Sequence, residues 1–255
     1  MKHGFSLVEL SIVLVILGLL TGGILAGQSL IRAAEIRAIT SEHSRYLAAI
    51  HTFRDKYFAL PGDFSKAEDF WDTMATGTCP NATAGSGTET CNGDADGLIS
   101  RESASASQAN EEFTAWQHLA NAGLIEGSYT GIAGSSSAVH QLAGENVPRS
   151  KLNDAVWYIG TNTYSSHGVY TDGYFPNFLS IGGAGTGNIT NLAILSPEEA
   201  WNIDTKIDDG IPQQGKVWAI GWDDCTNAGT AAATDGEYAL TTTTTECGLL
   251  FLTNY

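Results

Sequence analysis

Positive charge is scarce in this chain. Its 255 residues hold 12 Lys and Arg against 28 Asp and Glu, a formal net charge of −16. Residues 1–60 carry six basic and four acidic side chains, while 61–255 carry six basic and 24 acidic ones. A region that acidic repels phosphate backbones, which argues against nucleic acid as a partner. Catalytic signatures are missing too. His118, His140 and His167 are scattered without HExxH spacing, and no Gly-x-Ser-x-Gly occurs. The run from Gly182 to Gly187 lacks the Lys of a phosphate-binding loop and reads as a flexible connection. In Asp208-Asp209 and Asp223-Asp224 neighbouring carboxylates point different ways, which reads as solvated or capping residues, or else cation ligands, rather than an acid–base pair. The chain is therefore read as no enzyme, with no cofactor required.

Charge is also nearly absent from the N-terminus. Phe5 to Gly27 is 23 residues with a single charged side chain, Glu9, and no Lys or Arg falls between Lys2 and Arg32. As a helix the run is roughly 34 Å long, enough to cross the hydrocarbon core of a bilayer. A carboxylate placed there costs about 2.5–3.5 kcal/mol on insertion scales, so Glu9 needs a cation from elsewhere. An ordinary secretory signal has a shorter apolar core and a small-x-small cut site, which Ile24-Leu25-Ala26 does not supply. A plain membrane anchor accounts for the length but not for Glu9.

Gly4-Phe5-Ser6-Leu7-Val8-Glu9 resembles the prepilin processing motif of type IV pilins and type II secretion pseudopilins. The resemblance implies that a prepilin peptidase cuts after Gly4 and methylates the new amine of Phe5. It implies too that Glu9 pairs with the N-terminal amine of a neighbouring subunit during filament assembly. Residues 1–4 are then a leader, 5–28 a transmembrane and assembly helix, 29–60 its amphipathic continuation and 61–255 a globular head. The implied partners are copies of this chain, other pilins and the inner-membrane assembly machinery. The implied location is the bacterial inner membrane with a periplasmic head, then a periplasmic or surface filament. The expected fold is α+β and type IV pilin-like, with the helix packed on an antiparallel sheet.

The residues after the membrane run agree with that plan. Arg32 to Tyr57 contains no Gly or Pro, and Ile36, Ile39, His43, Tyr46, Ile50, Phe53 and Tyr57 recur at steps of three and four. That is one apolar stripe, with Arg37, Glu42, Arg45, Arg54 and Asp55 expected on other faces. Pro61-Gly62 should end a helix running from about Phe5 to Leu60. Gly18, Gly22, Gly23 and Gly27 suit close helix–helix approach. Residues 61–110 read as a long irregular connection, followed by a helix at about 110–121 stopped by Gly123. Short apolar runs at 156–159, 178–181, 192–195, 217–220 and 249–252 read as strands. Ser196-Pro197-Glu198-Glu199 is a helix start with a capping box, for a helix reaching about Asp209 before Gly210.

Cysteine is sparse but even in number. Cys79, Cys91, Cys225 and Cys247 lack Cys-x-x-Cys spacing and nearby histidines, so zinc is disfavoured and disulfides are expected in an exported domain. Three connectivities are open, and the local pairing Cys79–Cys91 with Cys225–Cys247 is preferred. The second loop is similar in placement to the C-terminal disulfide loop of many pilins. A last motif is Asn92-x-Asp94-x-Asp96-Gly97-Leu98-Ile99, the front half of an EF-hand-like loop. Asn92, Asp94 and Asp96, with the Leu98 carbonyl, are candidate ligands of a structural calcium. Its back half departs from the pattern, with Ser103 at the twelfth place and Glu102 one place early. An Asn/Asp/Gly turn is the plainer reading. Some major pseudopilins bind calcium in the head, in a C-terminal loop that these residues do not match.

Overall fold

A computed structural model describes residues 7–74, 79, 87–100, 109–134, 141–164, 173–185, 192–221, 224–227 and 236–253. Its elements are α1 (Leu7–Tyr57), α2 (Ala67–Trp71), α3 (Glu111–Asn121), β1 (Ala155–Tyr164), β2 (Gly173–Gly183), α4 (Pro197–Ile207), β3 (Val217–Gly221) and β4 (Cys247–Leu252). The strands form one antiparallel sheet in the order β1-β2-β4-β3. A long apolar helix on an antiparallel sheet with two disulfides is the type IV pilin-like α+β arrangement that the sequence predicts.

Two-residue periodicity builds the face that α1 meets. Ile159, Leu179, Phe251 and Val217 stand in one row across the four strands, and Trp157, Ile181, Leu249 and Ala219 in the next. All eight are buried in a single core. The intervening positions Tyr158, Phe178, Leu250 and Ile220 form a smaller cluster on the opposite face. The second half of α1 lays Ile39, Tyr46, Ile50 and Phe53 into the main core. Each such side chain contributes about 1.5–3 kcal/mol on leaving water. His43 stacks on Phe251 with ring centroids 4.4 Å apart, and Tyr46 meets the edges of Trp116 and Trp157.

Five expectations need correction. The run 192–195 is no strand: Leu192 bridges to Gly183 and Leu195 to Cys247. Those four residues cross from the end of β2 to the start of β4, and Ser196 then caps α4, so no length remains to lie along one neighbour. Helix α1 stops at Tyr57 rather than near Leu60, because Phe58 takes a left-handed backbone (φ 54°) before the Pro61-Gly62 turn. Helix α4 stops at Ile207, since Asp208 leaves helical geometry and its carboxylate takes the N–H groups of Lys216 and Val217. The glycine run is not simply a loop, because Gly182 and Gly183 close β2; Thr186 and Gly187 lie outside the described residues.

The fifth correction is chemical. Glu42 belongs to the buried stripe of α1, not to another face, and is 4% exposed. Its carboxylate accepts hydrogen bonds from Ser150 Oγ (2.6 Å), Lys151 N (2.9 Å) and Trp157 Nε1 (2.8 Å). Donors from the segment before β1 and from β1 itself replace water around the charge. Glu42 thus fixes the rotation of α1 against the sheet, where apolar contacts alone would let neighbouring rotations compete.

The irregular 61–110 region contains only the short α2 in its described part. It is held by the Cys79–Cys91 disulfide and by the wholly buried His118 of α3. Gly62 N–H donates to His118 Nδ1 (3.0 Å), so the proton sits on Nε2 and points at Thr90 Oγ1 (2.9 Å). The Thr90 hydroxyl then donates to Gln117 Oε1 (2.6 Å). Gly62 has φ 90°, and a Cβ there would lie 2.6 Å from the Glu111 carbonyl oxygen. Only glycine lets the turn after α1 approach α3 so closely.

Candidate functional site

The first half of α1 has no core to enter. Every Leu, Val and Ile from Leu7 to Ile31 is exposed, and the helix is long and apolar enough to cross a membrane. Hydroxyls within it are satisfied by its own backbone: Ser11 Oγ donates to Val8 O, Thr21 Oγ1 to Leu17 O and Ser29 Oγ to Ala26 O. That is how polar side chains are carried into lipid or into a bundle of helices. A Cβ on Gly18, Gly22, Gly23 or Gly27 would meet nothing within 4 Å in the single chain. Intramolecular packing therefore places no demand on these glycines, and their smooth face is available to a neighbouring helix. Glu9 stands exposed in the first turn of α1, where a negative charge suits the helix dipole. Gly4 and Phe5 lie outside the described residues.

A clasp marks where the exposed half of α1 ends. Arg32 Nε and Nη2 donate to the two oxygens of Glu199, each at 2.6 Å, and Nη2 also reaches Ile194 O at 3.0 Å. Glu199 is the same residue whose Oε2 takes the Ser196 N–H in the α4 capping box. Burial alone would raise the Glu199 carboxyl, but the Arg32 and Ser196 hydrogen bonds and the Arg32 charge outweigh it, and its pKa is lowered. Sequence reading finds the capping box and leaves Arg32 unassigned. The ion pair joins residues 167 apart, and no local spacing records such a contact.

The acidic loop at 92–98 is arranged differently from its sequence motif. Asn92 turns to the start of α2, its Oδ1 accepting Glu68 N–H (3.0 Å) while its own N–H meets Glu68 Oε1 (3.1 Å). Asp63 stands instead with Asp94 and Asp96, each offering one oxygen within 4.8 Å of the others. Asp94 Oδ1 accepts from Asp96 N, Asp96 Oδ1 from Leu98 N, and Asp63 Oδ2 from Gly97 N. Burial, and then the charges of Asp96 and Asp94, push the Asp63 carboxyl up to about 6. The loop is tied down from outside as well. Glu111 of α3 accepts the N–H groups of Asp94 and Ser100, and Asn177 of β2 accepts that of Ile99. Leu98 is half-buried, and Glu102 lies outside the described residues.

The cysteines pair locally. Cys79–Cys91 and Cys225–Cys247 have Cα–Cα distances of 5.4 and 5.2 Å. The second ties the first residue of β4 to the segment at 224–227.

Residues 1–25 match the family model of the prokaryotic N-terminal methylation motif, the signature of type IV pilins and pseudopilins. No curated protein and no solved structure matches the chain. The motif, which covers about a tenth of the chain, and the fold together support a subunit of the type IV pilin type. Such a motif implies processing by prepilin peptidase and assembly with other pilins, and it fits membrane anchoring before assembly.

Proposed function

We propose that this chain is a building block of a type IV pilus-like or type II secretion pseudopilus-like filament. Prepilin peptidase removes Met1 to Gly4, leaving methylated Phe5 at the head of α1. The apolar half holds the subunit in the inner membrane and then packs among copies of itself and related pilins, while the acidic head faces outward. The observation that carries this reading is the wholly exposed apolar half of α1. Removing that area from water or lipid contact needs other helices, at roughly 25 cal/mol per Å² where water is displaced. Glu9 supplies direction, since its carboxylate meets the new amine of a neighbour at the depth where charge must be neutralised.

Intact-mass analysis of the membrane-extracted chain tests the processing step. The expected species starts at Phe5 and carries one added methyl; a chain retaining Met1, or one starting near Ala26, overturns it.

A second reading shares the anchor but gives the head a recognition task, as in a minor pilin. The size of the 61–255 head favours it, while its 24 acidic side chains also serve simply to keep an exposed domain soluble. Long homopolymers formed by this chain alone would argue for the first reading.

A further inference from the structure

Two groups of carboxylates crowd together in the head, and they differ in one respect. In the trio Asp204, Asp208 and Asp209 the buried member is fully committed. Asp204 Oδ1 takes the Gly210 N–H and Oδ2 takes the Tyr238 hydroxyl, while Asp208 Oδ2 takes Lys216 N and Val217 N. These groups close the end of α4. In the trio Asp63, Asp94 and Asp96 the buried member is left short. Asp63 is 4% exposed and gives Oδ2 to Gly97 N; the Ala95 N–H also favours its charged form, but its buried Oδ1 has no hydrogen bond of good geometry. None of the three forms an ion pair with a Lys or Arg among the described residues. A buried acceptor left bare costs about 1–3 kcal/mol, and more when charged. Three like charges within 4.8 Å of one another add repulsion unless a cation lies between them.

We propose that Asp63, Asp94 and Asp96 together hold one calcium ion, which pins the 91–100 segment to the turn that follows α1. The donor set is hard oxygen only, which suits calcium and excludes the thiolate and imidazole preferences of zinc. Oxygens at about 2.4 Å from one ion lie no more than about 4.8 Å apart, and the three carboxylates each place one oxygen within that limit. Two of the three are exposed loop residues that can close on an ion with water filling its shell. That adaptability favours calcium over magnesium, which demands tighter octahedral geometry. The ion would lock one corner of the head, because the loop is already tied to α3 through Glu111 and to β2 through Asn177. Calcium binding here is independent of whether the chain polymerises.

The test is thermal unfolding of the full chain in detergent micelles, followed by near-ultraviolet circular dichroism. Samples contain a chelator, calcium or magnesium at about 5 mM, above the range where extracellular calcium modules bind, or sodium chloride at matched ionic strength. Calcium should raise the melting temperature by a few degrees, roughly what ligand linkage gives at several times Kd. Magnesium should raise it less and sodium chloride not at all. Asp63→Asn should abolish the rise and melt no lower than the wild type in chelator, because it removes a bare buried charge. Asp94→Asn with Asp96→Asn, on exposed positions, should lose the rise while folding normally, and Asp209→Asn should keep it. Equal melting of the wild type in calcium and chelator overturns the proposal. So does an equal rise in matched salt, or a full calcium rise in the Asp94/Asp96 variant.

Discussion

At the scale of single residues, buried polar groups rather than apolar ones decide how the helix meets the head. Glu42 accepts three donors from the far side of the core. Replacing it by Leu strands those donors and should cost about 3 kcal/mol in denaturant unfolding of the full chain, against less than about 0.5 kcal/mol for exposed Arg37→Ala. Similar losses from both variants would mean that Glu42 only fills space. His118 makes a pH prediction. Burial lowers its pKa to about 3, and burial lowers that of His43 to about 4. In both cases the unfolded chain takes up its proton first, near pH 6.5. Their contribution is therefore complete above pH 6.5 and is lost as the pH falls toward those values. Asp63 and Asp204 work in the opposite sense, since burial raises each to about 6 and protonation relieves it. His118→Gln should flatten the loss of stability between pH 6.5 and 4 by up to about 1.4 kcal/mol per pH unit. An unchanged slope would show that His118 does not stay neutral in the folded head. Neither residue's role is legible in the sequence. A Glu inside an apolar stripe looks misplaced until its partners, 108 to 115 residues on, are brought to it, and Asp63 lies 34 residues before the Gly97 that it meets.

At the scale of elements, local pattern was enough wherever an element is made by local rules. The apolar stripe predicts α1, the Ser-Pro-Glu-Glu start predicts α4, and four of five apolar runs predict strands, because helical and pleated periods are written in neighbouring residues. The run 192–195 misled because apolar alternation says that a segment is buried, not that it has one partner along its length. The joints between elements are tertiary and were not legible, Arg32–Glu199 above all. A double-mutant cycle of Arg32→Ala and Glu199→Gln should give a coupling of about 1 kcal/mol for this half-buried bidentate pair. Coupling near zero would leave Glu199 as a cap alone. The disulfides belong to this scale too. Replacing Cys225 and Cys247 together by Ala should cost about 2–4 kcal/mol, with β4 losing its tie to the 224–227 segment. Peptide mapping without reduction should recover Cys79 with Cys91 and Cys225 with Cys247; crossed pairs or free thiols would contradict that assignment.

At the scale of the whole molecule, two halves have opposite solubility. The head buries one continuous core running from Ile39 of α1 to Phe251 of β4, and 24 of the chain's 28 acidic side chains lie in 61–255. The apolar half of α1 buries nothing within the chain. Membrane and filament are the two settings that satisfy both halves, and passage from one to the other is what the account assigns to Glu9. The most direct measurement is the amount of this chain in filaments sheared from cells, compared between wild type and Glu9→Gln. The substitution removes a charge from the apolar segment and touches nothing in the head core, so insertion and folding should persist while the sheared fraction empties and the mature subunit accumulates in the membrane. Wild-type yield of filaments from Glu9→Gln, or no wild-type chain in filaments at all, would contradict the account.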